Sequence, residues 1–402
     1  MKHSGKRLSG LLAILLLLCT FTPTAWGVGM PEIKSEAYLV LDAQTGQILI
    51  EKNAHQRMYP ASITKILTCA LALQHSTPGA TTTLQADAVY SIERGTTHIA
   101  LSEGEVIPVE ALLHATMIES ANDAANGLAE YVSGSLEAFV ELMNKRAAEA
   151  GATDSHFVNA HGLHDAKHVT TAYDMAMITK WALGIDGFRE LFGATEYTIA
   201  PTNKQPKQRR FGTHDHMLVE SAYSYPGAKG GKLGWTPEAQ HTLVTLAERD
   251  GLELICVVLK TKDQYEKYED TAALLDQCFE NYSTALFEGS RFAHQPIPVY
   301  AAAGEQVATV TLLPQDVRIA RPSTLAKADI SAVLAVPDRY NYEDRIAPAV
   351  RFLDKQGTLL CEVAIPYDLQ SVSVDAGAQV TPSGTEADRS TGGEGPIKPW
   401  MI

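Results

Sequence analysis

Apolar positions along this chain fall into two textures. From about residue 36 to residue 282 helix-spaced runs dominate, broken by polar and glycine-rich stretches, and from about Phe292 short apolar runs are separated by turn residues. Ile66, Leu67, Ala70, Leu71 and Leu73 carry the crowding of a helix buried on most sides, with Pro60 just ahead of it or in its first turn. Helical patterns recur over Val109 to Met117, Ala124 to Tyr131, Phe139 to Ala150, Thr171 to Leu183 and Tyr268 to Tyr282, and Gly151 ends the third of these. Tyr38 to Asp42 and Gln47 to Glu51 flank Ala43-Gln44-Thr45-Gly46 and predict a β-hairpin, while Thr242 to Ala247 and Leu252 to Lys260 predict paired strands about Arg249-Asp250-Gly251. Beyond Phe292 the runs Val307 to Leu313, Ile330 to Val336, Val350 to Leu353 and Thr358 to Ile365 predict an all-β domain, read as a spacer without chemistry. From Asp375 onward Gly, Ser, Thr, Glu and Pro dominate and no apolar stripe survives, the composition of a disordered tail.

A length of 402 residues, 45% hydrophobic and 20% charged, allows two domains with a real core. Residues 1 to 27 read as a secretory signal: Lys2, Lys6 and Arg7 form the basic start, Leu11 to Leu18 the apolar centre, and Ala25-Trp26-Gly27 a small-x-small cleavage site. The apolar centre is short for a bilayer span, and Leu17-Leu18 ahead of Cys19 lacks the small residues of a lipidation site. Losing that segment removes three positive and no negative charges from a chain of net charge −14, taking it to about −17, which argues against a nucleic-acid partner. Cys69, Cys256, Cys278 and Cys361 remain, and their even number permits disulfides in an exported protein. Cys69 and Cys256 fall inside apolar runs, however, where a small buried hydrophobe is the expected role. His161, His164 and His168 match no compact metal site and no Cys or second carboxylate pattern closes one, so neither a metal nor another cofactor is expected.

Candidate chemistry starts at Ser62-Ile63-Thr64-Lys65, the only Ser-x-x-Lys in the sequence. Residues three apart in a helix share a face, so the Lys65 ammonium can reach the Ser62 hydroxyl. A serine hydroxyl is a poor nucleophile until a base takes its proton, and Lys65 can be that base if burial and the positive end of the helix dipole lower its pKa. Taken alone, the pair reads more readily as an N-capping serine followed by a surface lysine. Two further elements decide between the readings: Ser120-Ala121-Asn122, then Lys232-Leu233-Gly234 followed by Trp235-Thr236.

In that order the three elements resemble the Ser-x-x-Lys, Ser-x-Asn and Lys-Thr-Gly signatures of the penicillin-recognising serine hydrolases. Within that group the chain resembles the low-molecular-weight penicillin-binding proteins that are D-alanyl-D-alanine carboxypeptidases. The resemblance runs from about Glu36 to Tyr282 and includes Pro60-Ala61, Asp123-Ala124-Ala125, Phe157-Val158-Asn159, His161-Gly162-Leu163 and Thr171-Ala172-Tyr173-Asp174. It implies an α/β (α+β) fold over residues 28–288, an antiparallel sheet flanked by helices, then a small all-β domain over 289–374 and the tail 375–402. It also implies that Ser62 attacks the carbonyl between two D-alanines, Lys65 accepts its proton, Ser120 relays a proton to the leaving amine, and Asn122 holds the substrate backbone or Lys65. The implied oxyanion donors are the backbone N–H groups of Ser62 and Trp235, and Lys232, Leu233, Gly234, Trp235 and Thr236 form the substrate-binding strand. Lys229-Gly230-Gly231 also fits Lys-x-Gly, but Trp235-Thr236 favours the second register.

Two departures stand out. Leu233 replaces the usual Thr, whose hydroxyl contacts the substrate carboxylate, a bond worth roughly 1.5–3 kcal/mol; Thr236 or Lys262 is the expected substitute. The stretch from Asp375 to Ile402 offers no amphipathic anchor, which leaves membrane association open. The implied partners are peptidoglycan stem peptides ending in D-Ala-D-Ala, with β-lactams as inhibitors, at the outer face of a bacterial membrane or in the wall. A β-lactamase needs a deacylating carboxylate that no local pattern assigns. A catalytically silent peptidoglycan-binding relative has only Leu233 in its favour.

Overall fold

A computed structural model describes residues 32–371 apart from 342, 344 and 345; the expected secretory signal and the tail from 375 lie outside the described residues. At its centre an antiparallel sheet runs, edge to edge, Ile48–Lys52, Ala37–Asp42, Leu252–Thr261, Gln240–Arg249 and Ala228–Thr236. The unbroken apolar run of the middle strand follows from being covered on both faces, because successive side chains of a strand point opposite ways. Ile255, Val257 and Leu259 join the cluster containing Ile66, Leu67 and Ile178. Leu254, Cys256 and Val258 join the one containing Leu274, Leu275 and Cys278.

The helix Lys65–His75 is buried from Lys65 through Ala72, so it is apolar almost all round and stands at the centre of the helical layer. Asn122–Ser133, Leu136–Glu149 and Ala172–Ala182 pack around it, and Glu266–Asn281 covers the opposite face of the sheet. The predicted hairpin and strand pair are present, with the second pair longer than its apolar runs at Gln240–Arg249 and Leu252–Thr261. The glycine-rich stretch is itself a strand, the sheet's edge. Its small residues hid it, since a strand is read from side chains that pack and glycine has none.

Three expectations need correction. The helix expected over Val109 to Met117 is α-helical only over Val109–His114 and then widens into a π turn, Ala115–Glu119, that ends at Ser120 in left-handed backbone with φ 63 and ψ 29. The helix expected to run to Tyr282 stops at Asn281, and Tyr282–Phe287 is a strand paired with Val317–Pro322. The polar stretches contain short ribbons, Thr81–Thr83 with Val106–Pro108 and Glu196–Ile199 with Arg209–Gly212, too brief and too polar to show an alternating pattern. The β-rich part builds a separate apolar cluster around Val310, Ile319, Val350 and Phe352. Cys69, Cys256, Cys278 and Cys361 are buried and free.

Candidate active site

Ser62 lies in a 3-10 turn, Ala61–Thr64, rather than in the first α turn expected for it. In a 3-10 turn residues three apart eclipse one another, which sets Ser62 directly over Lys65. Ala61 takes φ 50, an uncommon conformation for a residue with a Cβ, and is held there from two sides. Thr242 Oγ1 donates to Pro60 O at 3.0 Å, and Thr64 Oγ1 donates to Ala61 O at 2.8 Å. His168 completes the second brace. Its Nδ1 accepts the Val158 N–H at 3.2 Å, which fixes the tautomer and leaves the Nε2 proton for Thr64 Oγ1 at 2.9 Å. Burial pushes the His168 pKa down to about 3, consistent with a neutral ring.

Lys65 is 0% exposed. Its Nζ lies 2.9 Å from Ser62 Oγ and donates to Asn122 Oδ1 at 2.8 Å and to the His161 carbonyl at 2.6 Å. No carboxylate forms an ion pair with it among the described residues. Burial, then the neighbouring Lys232 charge, holds its pKa well below the ordinary lysine value. Lys232 reaches Ser120 Oγ at 3.0 Å and the Leu233 carbonyl at 3.1 Å, and burial brings its pKa down to about 8. The π turn, by ending in left-handed backbone, delivers the Ser120 hydroxyl to Lys232, while Asn122 begins the next helix and faces Lys65.

Gly234 lets the edge strand close on the nucleophile. A Cβ there would meet Thr242 Oγ1 at 2.3 Å and both Pro60 O and Ser62 N at 2.9 Å, so the backbone at Gly234 lies against the Ser62 N–H. Ser62, Ser120, Lys232, Leu233, Gly234 and Trp235 line one cavity of about 240 Å³, with Trp235 58% exposed at its mouth. A larger cavity of about 740 Å³, lined by Leu73, Val109 and Leu113 among others, contains none of these residues. Lys65 and Asn122 are buried behind Ser62. Thr236 sits just past the cavity, where its hydroxyl oxygen accepts the Ala239 N–H at 3.0 Å. Lys262 lines a different surface hollow with Lys34, Lys52 and Lys260. Sequence reasoning gave no role to His161, Gly162, His168, Asp215 or Lys267. The first three lie in or next to the Phe157 to Leu163 motif and brace the nucleophile turn; a spacing pattern cannot show that a carbonyl or a ring supports a distant turn.

A family model described as D-alanyl-D-alanine carboxypeptidase matches residues 24–263. The chain is 33% identical over 290 residues to D-alanyl-D-alanine carboxypeptidase DacF of Bacillus subtilis, covering 69% of this chain and 72% of that protein. It is 32% identical over 306 residues to DacC of Escherichia coli, covering 71% and 72%. Among solved structures, penicillin binding protein 5 of Haemophilus influenzae shares the fold with a TM-score of 0.67 at 23% identity, covering 86% of this chain and 98% of that one. Two Ser–Lys couples whose serines line one cleft, together with these likenesses, place the chain in the D-alanyl-D-alanine carboxypeptidase family of serine peptidases.

Proposed function

We propose that this chain is a penicillin-binding serine carboxypeptidase that removes the terminal D-alanine from peptidoglycan stem peptides ending in D-Ala-D-Ala. The observation that carries the reading is Lys65, fully buried, its Nζ 2.9 Å from Ser62 Oγ, with no ion-paired carboxylate among the described residues. Burial disfavours the charged form of such a lysine, so it can take the Ser62 proton as Oγ attacks the substrate carbonyl. Asn122 Oδ1 and the His161 carbonyl then receive the new ammonium. Negative charge on the carbonyl oxygen goes to the backbone N–H groups of Ser62 and Trp235; one such donor typically accounts for about 2.7–4 kcal/mol of barrier.

As the tetrahedral intermediate collapses, the proton held by Lys65 is relayed through the Ser120 hydroxyl to the leaving D-alanine nitrogen, which leaves Lys65 neutral again and Lys232 charged beside Ser120. Water then attacks the acyl-enzyme, with Lys65 taking a proton from it, and frees the shortened peptide. Lys232 provides positive charge for the terminal carboxylate, and Gly234, Trp235 and Thr236 shape the strand beside which the peptide lies. A cyclic β-lactam would acylate the same serine.

The reading includes export by the leader over residues 1–27 and a division into a catalytic domain to 288 and a β-rich domain over 289–374. A separate apolar cluster supports a β-rich domain, but it takes in Ala285 and Phe287, which draws the boundary back ahead of the strand Tyr282–Phe287. Intact-protein mass after incubation with penicillin tests the reading. A covalent adduct on the mature chain and none on Ser62→Ala is expected, and no adduct on either protein would overturn it.

A further inference from the structure

The cavity of about 740 Å³ lies at the far end of the helix that carries Lys65. Gln74, on its wall, stands about 14 Å along that helix from Lys65 at 1.5 Å of rise per residue. Val109, Leu113 and His114 reach it from the helix Val109–His114, and Leu191 from the short helix Phe188–Phe192. Val109, Leu113, Ile185 and Leu191 are buried and give it an apolar floor. Its volume is that of a small-molecule site.

Three carboxylates, Glu110, Asp186 and Glu190, also line the cavity, and no lysine or arginine does. Glu110 and Glu190 stand exposed in the first turns of their helices, where the positive end of the helix dipole favours a carboxylate. That accounts for their presence without a ligand. Arg189, on which the Glu190 charge acts, gives its guanidinium to Glu253.

Two buried atoms have no such account. Gln74 Oε1 and His114 Nδ1 lack a hydrogen-bond partner among the described residues, although both side chains line the cavity. A polar atom cut off from water without a partner is costly, so each calls for a reason. The His114 ring is stacked on Tyr197, with centroids 4.2 Å apart and planes 9° from parallel, which fixes its plane. Burial pushes its pKa down against the pull of Glu110, so the ring is neutral near pH 7. With its proton on Nε2 it presents Nδ1 as an acceptor.

Unsatisfied acceptors over an apolar floor, under a rim of carboxylates, match a ligand that is rich in donors, cationic and apolar in its body. A primary ammonium has three N–H donors and no acceptor. We propose that this cavity is a second, non-catalytic binding site for a small molecule bearing a primary ammonium on an apolar body. Gln74 Oε1 and His114 Nδ1 take the ammonium with Glu110 beside them, and the body lies on Leu73, Leu113 and Leu191. The assignment goes beyond the carboxypeptidase reading and does not depend on it.

Calorimetric titration of the mature chain with n-hexylamine tests it, with n-hexanol and hexanoate as the uncharged and anionic counterparts. Hexylammonium binds saturably at one site, hexanol at least about tenfold more weakly, and hexanoate not at all. Gln74→Leu and His114→Phe each weaken hexylammonium by about tenfold to hundredfold, the value of one hydrogen bond to a charged group. Their Tm does not fall, since each removes a buried polar atom that has no partner. Gln74→Glu, which puts a carboxylate where the amide oxygen stood, tightens binding severalfold, a gain that damage to the fold cannot produce. Hexanol binding as tightly as hexylammonium would overturn the assignment by leaving only the apolar floor at work. Binding undiminished in both Gln74→Leu and His114→Phe would overturn it by placing the ligand elsewhere, as would weaker binding in Gln74→Glu or no saturable binding to the wild type.

Discussion

Gly162→Ala adds one methyl group at a position that touches no substrate in the proposed reaction. Gly162 has φ +89, and a Cβ there would lie 1.9 Å from the Ala61 carbonyl oxygen, 2.5 Å from its carbon and 2.9 Å from Thr64 Oγ1. Ordinary contact begins at 3.4 Å, so the nucleophile turn and the 157–163 segment must separate by about 1.5 Å. Both sides of that contact matter. Ala61 precedes Ser62, and the carbonyl next to Gly162, that of His161, accepts the Lys65 ammonium. Positive φ in a non-glycine residue costs about 1–2 kcal/mol and overpacking typically about 1–3 kcal/mol, giving a loss of stability of about 2–5 kcal/mol. A misplacement on the order of 1 Å in a reacting constellation costs about a hundredfold in rate. Stopped-flow acylation by a fluorescent penicillin, corrected for the folded fraction from circular dichroism, should therefore fall about a hundredfold, with Tm lower by several degrees. Acylation within about threefold of wild type at an unchanged Tm would show that this glycine does not set the nucleophile.

Other perturbations follow from the same geometry. Lys65→Met, similar in length but unable to accept a proton, should lower the acylation rate by about 10²–10⁴ while the protein still folds; acylation within about tenfold of wild type would rule out Lys65 as the base. KM for the anionic peptide should rise as pH passes above about 8, where Lys232 loses its charge, and a KM flat between about pH 7 and 9.5 would contradict that role. His168 titrates at about 3 in the fold against about 6.5 when unfolded, so in that window the unfolded chain binds the extra proton. Its contribution is complete above about pH 6.5 and lost as pH falls toward 3, at up to about 1.4 kcal/mol per pH unit. Thermal melts should accordingly show a steeper acid-side loss for the wild type than for His168→Gln, and equal slopes would refute the neutral buried ring. Leu233→Thr, which adds a hydroxyl able to bond the substrate carboxylate, should raise kcat/KM by about tenfold to hundredfold; an unchanged value would show that the carboxylate is already fully held without it.

Much of this site was legible in the sequence because its chemistry is carried by side chains at short spacing. Ser62 with Lys65, and Ser120 with Asn122, need only one turn each to be presented. The order of the three elements then pointed to a single cleft. What stayed hidden depends on backbone and on distance. A π turn is not encoded by any residue type in Ala115–Glu119, and the left-handed Ser120 it produces looks in sequence like an ordinary helix cap. The glycines of the edge strand read as a loop until the close approach of Gly234 to Ser62 explains them. Lys267 lies in a charged run that reads as a solvated helix end, and only the tertiary structure turns it toward the cleft. Thr236 and Lys262, the substitutes expected from sequence, do not line the cavity: Thr236 sits just past it and Lys262 lines a separate hollow.

The central sheet also governs when the site can exist. Val40 pairs with Cys256, joining parts of the chain separated by more than two hundred residues. Closing a loop of that length costs about 5 kcal/mol of chain entropy, recovered only once the middle strand docks. That strand is flanked by the hairpin from the beginning of the domain and by Gln240–Arg249, which in turn pairs with the strand that carries Lys232 and Gly234, so nothing shorter than the chain through Thr261 can assemble the cleft. The nucleophile is thus synthesised early and becomes reactive last. A nascent chain carries Ser62 as an inert hydroxyl, and activity appears only when synthesis has passed the middle strand and the two ends of the domain have met.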